Sequence, residues 1–338
     1  MTPRARIAAS AAFALAAGSA WAQKTELLVY TALETDQLKA YTESFVKQNP
    51  NIELKFVRDS TGVITAKLLA EKANPQADAI LGVAASSMEI FKGEGMLAPY
   101  APAGFDKLTR TYSDKANPPS WIGQDVFAAV VCYNTVEGQK KGIPKPETWQ
   151  DLLKPVYKGQ IVMPNPASSG TGFFDVSAWL QMYGEQGGWK YMDGLHENIA
   201  QYTHSGSKPC RQAGAGEFVV GISFDFRGND VKQKGAPVDL VFPKEGLGWD
   251  IEAAGIMKAT KKMDAAKKLM DWVATKEANE AFAKNFALVA HPDVKPALAY
   301  LPADLDKRLI NNDFAFAAQN RERILTEWQK RYAGKTEK

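Results

Sequence analysis

Hydrophobic and polar residues alternate along the first 85 positions in a way that predicts strands and helices in turn. A short apolar run, Leu27–Tyr30, is followed by apolar residues at helical spacing up to Asn49-Pro50. The next segments predict a strand, a helix and a buried strand, at residues 52–56, 63–72 and 79–83. This β-α-β-α-β order predicts an α/β fold in which a doubly wound sheet is covered by helices.

The rest of the chain repeats this plan and predicts a second domain. Val126–Tyr133 is a long apolar run that is suited to pass from one domain to the next, and Ala253–Met257 is suited to return. We therefore expect two discontinuous lobes. The first comprises residues 23–127 with 250–290, and the second comprises residues 128–249 with 291–338, including the C-terminal helices.

The N-terminus has the pattern of a secretory signal peptide. Arg4 and Arg6 precede the apolar run Ile7–Ala17, and Ala20-Trp21-Ala22 fits cleavage before Gln23. A membrane anchor is the alternative, but a span needs about 20 apolar residues and this run is much shorter. Residues 1–22 are thus predicted to be removed on export to the periplasm.

Composition and charge exclude several classes of protein. Apolar residues make up 45% and charged residues 23% of the 338 positions, which is the mixture of a globular chain with a sizeable core. The formal charge of +3 falls to +1 once Arg4 and Arg6 are removed. So balanced a charge does not predict a nucleic-acid partner. We expect a monomer.

Cys132 and Cys210 are the two cysteines of the chain. An oxidising compartment and an even count favour a disulfide between them, which would lie in the second lobe. Its closed loop would stabilise the fold by roughly 4.5 kcal/mol in the chain-entropy model. Two separate buried thiols are the alternative.

The residues of common catalytic and metal centres are missing from the sequence. The three histidines, His196, His204 and His291, form no pair at helical spacing, and no nucleophile elbow or nucleotide-phosphate loop occurs. We therefore predict a protein that is not an enzyme and that holds no metal or cofactor.

Two polar turns instead predict an anion site. Ser168-Ser169-Gly170-Thr171-Gly172 lies between a predicted strand and a helix, where free N–H groups and the helix dipole attract negative charge. An ordinary helix cap is the alternative, although a cap needs one hydroxyl and this turn offers three. Ser60-Thr61-Gly62 has the same form in the first half. Because ligands bind at the carboxyl ends of strands, both turns are expected to face one cleft.

Two acids are candidates for the opposite end of the ligand. Glu34 follows the first strand, and its alternative role is a favourable charge at a helix N-terminus. Asp225 lies between Phe224 and Phe226, and its alternative role is an ion pair with Arg227. Helix N-termini on one side and carboxylates on the other would suit a short zwitterion.

These segments resemble periplasmic substrate-binding proteins of ABC transporters, in the branch that includes ferric-iron, thiamine and polyamine binders. The motifs at residues 58–62, 165–172 and 223–228 are most similar to the 2-aminoethylphosphonate-binding members. The resemblance implies a type II fold, in which two lobes with doubly wound mixed sheets enclose the ligand. Iron binders place adjacent tyrosines where this chain has Phe224-Asp225-Phe226, and Phe cannot supply a phenolate to iron.

The resemblance implies capture of 2-aminoethylphosphonate, or a close aminophosphonate, for an inner-membrane ABC permease. The ammonium would be bound by Glu34 and Asp225. Alternatives are a binder of ferric iron, thiamine or another organic anion, and a secreted hydrolase of phosphonates or phosphoesters. The phosphonate would be bound by Ser60, Thr61, Ser168, Ser169, Gly170 and Thr171.

Overall fold

The structure is a computed structural model that describes residues 24–296 and 298–337. The predicted signal peptide and its cleavage site therefore lie outside the described residues. The strands are β1 Thr25–Thr31, β2 Ile52–Arg58, β3 Ala79–Ala84, β4 Leu97–Ala98, β5 Ile122–Asn134, β6 Ile161–Pro164, β7 Ile199–Thr203, β8 Val220–Phe224, β9 Val238–Val241, β10 Trp249–Met257 and β11 Leu288–Val289. The helices are α1 Thr35–Gln48, α2 Thr61–Ala70, α3 Ala85–Gly93, α4 Thr135–Lys141, α5 Gly170–Asn198, α6 Lys208–Gly214, α7 Asp225–Gln233, α8 Met263–Val273, α9 Lys276–Phe282, α10 Leu305–Arg308 and α11 Phe314–Tyr332.

The strands form one continuous path in the order β2-β1-β3-β10-β5-β8-β6-β7. Strand β1 pairs in parallel with β2 and β3, whereas β10 runs antiparallel to both β3 and β5. The fold is therefore α/β with mixed sheets, as the sequence predicts.

Strand β5 joins the two halves of the sheet. Its residues up to Ala128 pair with β10, and those from Ala129 onward pair with β8. All 13 residues of β5 are buried, which explains the long apolar run in the sequence. Strand β10, expected to carry the chain back, lies beside β3 and β5 in the first half.

The helices that follow β10 pack on the first half of the sheet. Helix α8 contacts β1 and β10, and α9 contacts α1 and β5. The C-terminal helix α11 contacts both α3, which follows β3, and α5, which follows β6. The lobe boundaries given above stay a prediction, and α11 touches helices from both proposed lobes.

A disulfide ties α6 to strand β5. The two cysteines, Cys132 on β5 and Cys210 on α6, are fully buried and their Cα atoms are 5.4 Å apart. This distance lies within the usual range for a disulfide. The bond fixes the helix that follows β7 against the second half of the sheet.

Candidate functional site

Two helices begin face to face at the carboxyl ends of their strands. Ser60 caps α2 after β2, and Ser169 caps α5 after β6. The backbone N–H of Gly62 donates a hydrogen bond of 2.8 Å to the carbonyl oxygen of Ser168. A Cβ atom at Gly62 would lie only 2.0 Å from the carbonyl oxygen of Ala167, so this approach requires glycine. The structure thus brings the two polar turns into direct contact.

Several hydrogen-bond donors of these turns are free to meet an anion. Among the described residues, the backbone N–H groups of Thr61, Gly170 and Thr171 have no hydrogen-bond acceptor. The Ser60 hydroxyl makes no capping bond, whereas the Ser169 hydroxyl accepts one from the N–H of Gly172 at 3.3 Å. Free N–H groups at two converging helix N-termini form a site for a negatively charged group.

The two turns enclose a small cavity. Two aromatic rings, Phe127 and Phe224, lie with their centroids 6.2 Å apart and form an apolar wall. The full lining is Ala32, Glu34, Arg58, Ser60, Thr61, Gly82, Ala84, Phe127, Ser169, Gly170, Thr171, Gly206, Phe224 and Glu252.

Glu34 lies at this cavity but is surrounded by basic groups. Its carboxylate lies 3.4 Å from Arg58, 3.5 Å from Arg227 and 3.9 Å from Arg211. It also accepts a hydrogen bond of 2.5 Å from the hydroxyl of Ser207. Glu34 therefore lines the cavity as predicted, but its negative charge is already compensated by the protein.

Arg227 does not pair with Asp225, the alternative that the sequence left open. Its guanidinium group lies 2.6 Å from Asp230 and 3.3 Å from Asp36, and its side chain is only 1% exposed. Because Arg227 lies in the first turn of α7 and Asp36 in the first turn of α1, this ion pair joins the N-termini of two helices that are far apart in the sequence. Asp225 is left without this cation.

Asp225 lies beneath the lining of the cavity. It is fully buried, and one carboxyl oxygen accepts a hydrogen bond of 3.2 Å from the N–H of Ala128. The other oxygen has no hydrogen-bond partner among the described residues. Burial raises the pKa of Asp225 to about 7, although the backbone hydrogen bonds act in the opposite direction.

Glu252 is a second acid that lines the cavity, and the sequence analysis missed it. It lies on β10 directly opposite Asp125 on β5. Burial, and next to it the charge of Glu34, raise the pKa of Glu252 to about 8. Burial and the charge of Glu252 raise the pKa of Asp125 as well. The available signal was the presence of acids, Asp125 and Glu252, inside two largely apolar strands.

The remaining predicted residues divide into two groups. Ser60, Thr61, Ser169, Gly170 and Thr171 all line the cavity. The Ser168 side chain does not, because its hydroxyl donates to the carbonyl oxygen of His204 at 2.8 Å, which satisfies it within the turn. The Ser168 hydroxyl is therefore committed to a local contact.

The described residues offer no metal centre. No group of three or more His, Cys, Asp or Glu side chains in residues 24–296 and 298–337 has the arrangement of a metal site. Phe224 and Phe226, on either side of Asp225, carry no phenolate oxygen that could bind iron. No helix in the described part of the chain combines the length and the apolar character that a membrane span needs.

Comparisons with known proteins identify the family. The sequence model of a protein family described as "Bacterial extracellular solute-binding protein" matches residues 74–315 of this chain. An uncharacterized protein of Haemophilus influenzae is 30% identical over 90% of both chains. A Salmonella typhimurium protein named "Putative 2-aminoethylphosphonate-binding periplasmic protein" is 24% identical over 86% of both chains.

A solved structure extends the likeness to the whole fold. The periplasmic binding protein AfuA of Actinobacillus pleuropneumoniae, with exogenous fructose-6-phosphate bound, superposes with a TM-score of 0.85. It is 29% identical, and the match covers 92% of this chain and 99% of AfuA. The α/β architecture is accordingly that of type II periplasmic binding proteins. This chain belongs to the bacterial extracellular solute-binding protein family, whose members bind a small molecule for an ABC transporter and are not enzymes.

Proposed function

We propose that this protein captures 2-aminoethylphosphonate, or a close aminophosphonate, in the periplasm and delivers it to an inner-membrane ABC permease. The single observation that carries this proposal is the polarity of the cavity. Its lining combines free N–H groups and hydroxyls from two helix N-termini with the buried carboxyl group of Glu252. A short molecule with an anion at one end and a cation at the other matches that arrangement.

The phosphonate is assigned to the contact between the two turns. Its oxygens would accept hydrogen bonds from the backbone N–H groups of Thr61, Gly170 and Thr171, and from the nearby hydroxyls. Hydrogen bonds to a charged acceptor contribute about 1.5–3 kcal/mol each, so a small set offsets the desolvation of the anion. Arg58 also lines the cavity, but its charge is shared with Glu34, which lies 3.4 Å away.

The ammonium is assigned to the carboxyl end of the cavity. Glu252 is the direct partner in this proposal, because it lines the cavity and no lysine or arginine of the described residues compensates its charge. Asp225 lies behind it and contributes negative charge from beneath the lining. Glu34 shapes the mouth of the cavity, since its own charge is compensated by arginines.

A sugar phosphate is the second candidate ligand. It is favoured by the likeness to AfuA, whose solved structure contains fructose-6-phosphate. The carboxyl groups of this cavity could accept hydrogen bonds from sugar hydroxyls. The buried carboxyl group of Glu252 at this cavity favours a ligand with an ammonium group over one with hydroxyls alone, because a cation compensates the charge of a buried carboxylate.

Ferric iron and phosphoester hydrolysis are less well supported. The chain has phenylalanines in the stretch where the iron binders have tyrosines, and the family consists of binding proteins.

Closure of the two lobes over the ligand would create the surface that the permease recognises. Contacts such as the hydrogen bond between Ser207 and Glu34 would hold the closed form together.

Calorimetric titration of residues 23–338 tests the proposal. We expect 2-aminoethylphosphonate to bind at one site per chain, and ethylphosphonate and fructose 6-phosphate to bind at least tenfold more weakly. Tight binding of fructose 6-phosphate with no binding of 2-aminoethylphosphonate would refute the aminophosphonate assignment and favour the second candidate.

A matched pair of variants tests the position of the phosphonate. Thr171→Val keeps the shape of a side chain that lines the cavity and removes its hydroxyl, so we expect affinity to fall about tenfold. Ser168→Ala removes the neighbouring hydroxyl that donates to His204, so affinity should stay within threefold. The reverse order would place the phosphonate elsewhere.

A further inference from the structure

Glu252 and Asp125 form a buried pair of acids at the cavity, and no lysine, arginine or histidine of the described residues pairs with them. The two residues are direct cross-strand neighbours on β10 and β5. Glu252 is 9% exposed and Asp125 is fully buried. Within the described ranges, one oxygen of Glu252 and both oxygens of Asp125 accept no hydrogen bond from an N–H or O–H donor of another residue, and the two carboxyl groups lie within hydrogen-bonding reach of each other. Like charges opposite each other in a strand pair are unfavourable, so a proton between the two carboxyls relieves the conflict.

The surroundings of the pair supply further acids and no base. Helix α7 contributes Asp225, the segment before α1 contributes Glu34, and α1 contributes the buried phenol of Tyr41. Strand β3 places Ala84 opposite Glu252. The arginines at the cavity mouth face Glu34 instead. Burial raises the pKa of Glu252 to about 8, which keeps the pair protonated at neutral pH.

We propose that a cationic group of the ligand displaces the proton that Glu252 and Asp125 share, so that binding releases this proton to the solvent. The carboxyl O–H bond breaks, a buffer base accepts the proton, and the ammonium N–H groups donate to the carboxylate oxygens. The inference rests on the proposed function, because it requires an ammonium at this end of the cavity.

This exchange gives the site a means to distinguish an amine from a hydroxyl. A neutral hydroxyl cannot compensate an ionised acid pair in a buried site, so a hydroxyl ligand leaves the proton in place. An ammonium compensates the charge and lowers the pKa of the pair. Proton release is therefore the signature of a cationic ligand, and its absence is the signature of a hydroxyl ligand.

Calorimetry in buffers of different ionisation enthalpy measures the protons released. We propose titrating the mature chain with 2-aminoethylphosphonate at pH 7.5, where a phosphonate with a second pKa near 6 is almost fully ionised. Because a carboxyl of pKa about 8 is mostly protonated at this pH, we expect release of about 0.5–1 proton per ligand. Fructose 6-phosphate, if it binds, should release less than about 0.2 proton from the protein.

Variants assign the proton to the pair. Glu252→Gln mimics the protonated acid, and Asp125→Asn does the same for its neighbour, so each should lower the release by at least half without unfolding the protein. Asp175→Asn is the matched control, because Asp175 is another fully buried acid without partners but lies on α5 outside the cavity lining. It should leave the release unchanged.

The outcomes separate this inference from the proposed function. Binding of 2-aminoethylphosphonate with proton release that falls in both variants supports the inference. Binding without release, or with a release that both variants retain, overturns the inference while the proposed function stands. Failure of 2-aminoethylphosphonate to bind at all overturns both.

Discussion

Replacement of Gly62 by alanine should weaken ligand binding without weakening the fold. Gly62 is the second residue of α2, and its backbone is not in the left-handed region, so alanine suits the local conformation. Alanine is favoured over glycine in helix interiors by about 1 kcal/mol. The added Cβ would nevertheless lie 2.0 Å from the carbonyl oxygen of Ala167 and 2.8 Å from the carbonyl carbon of Ser168.

The expected magnitude follows from the distance by which the turns must separate. Ordinary contact with a Cβ begins near 3.4 Å, so the Ala167 carbonyl must retreat by about 1.4 Å. That shift breaks the 2.8 Å hydrogen bond from Gly62 to Ser168, which contributes about 1 kcal/mol. It also moves the donors of α5 away from those of α2, which weakens at least one charged hydrogen bond by about 2 kcal/mol. Affinity should therefore fall about 100-fold.

Calorimetric titration together with urea denaturation tests this reasoning. Gly93→Ala is the matched control, because Gly93 ends α3 and a Cβ there meets no atom within 4 Å. We expect Gly62→Ala to bind 2-aminoethylphosphonate about 100-fold more weakly while its ligand-free stability stays within about 1 kcal/mol of wild type, because the gain in helix propensity offsets the lost hydrogen bond. Affinity within threefold of wild type would refute the claim that contact between the turns builds the anion site.

Three further predictions concern the disulfide, the buried acids and pH. Replacing both Cys132 and Cys210 by alanine should lower the free energy of unfolding by about 2–5 kcal/mol, measured by urea denaturation, while ligand affinity is retained; unchanged stability would contradict it. Glu252→Gln should weaken 2-aminoethylphosphonate binding by about 2–4 kcal/mol in calorimetry, and Asp225→Asn by less than about 1 kcal/mol. The reason is that, of these two acids, Glu252 lines the cavity and Asp225 does not. The opposite order would refute this assignment. In the ligand-free protein the pKa values of Glu252 and Asp225, about 8 and about 7, lie above their unfolded values, so the folded state holds more protons and the melting temperature should fall as pH rises from 6 to 9. Glu252→Gln should reduce that fall, and a melting temperature that rises over this range would contradict the prediction.

The sequence predicted the parts of the molecule that local pattern controls. Strand β5 is apolar along most of its length because it is buried throughout, and the turns at Ser60 and Ser169 have the residues that helix N-termini prefer. Their position after strands also predicted that they would face one cleft, since carboxyl ends of strands share an edge.

The rest depended on tertiary contacts that no local pattern encodes. Whether Glu34 is free or compensated is decided by Arg58, Arg211 and Arg227, which come from distant segments of the chain. The pairing of Glu252 with Asp125 requires the register of β10 on β5, which joins residues more than a hundred positions apart. The hydrogen bond from the hydroxyl of Ser168 to the carbonyl oxygen of His204 likewise joins two segments that are separate in the sequence.

A crystal structure of the complex with 2-aminoethylphosphonate tests the central claim most directly. The account predicts phosphonate oxygens within about 3 Å of the backbone N–H groups of Thr61, Gly170 and Thr171, and the amine nitrogen beside the carboxyl group of Glu252. A phosphonate bound at the carboxyl end, or a ligand held outside the cavity between α2 and α5, would contradict it.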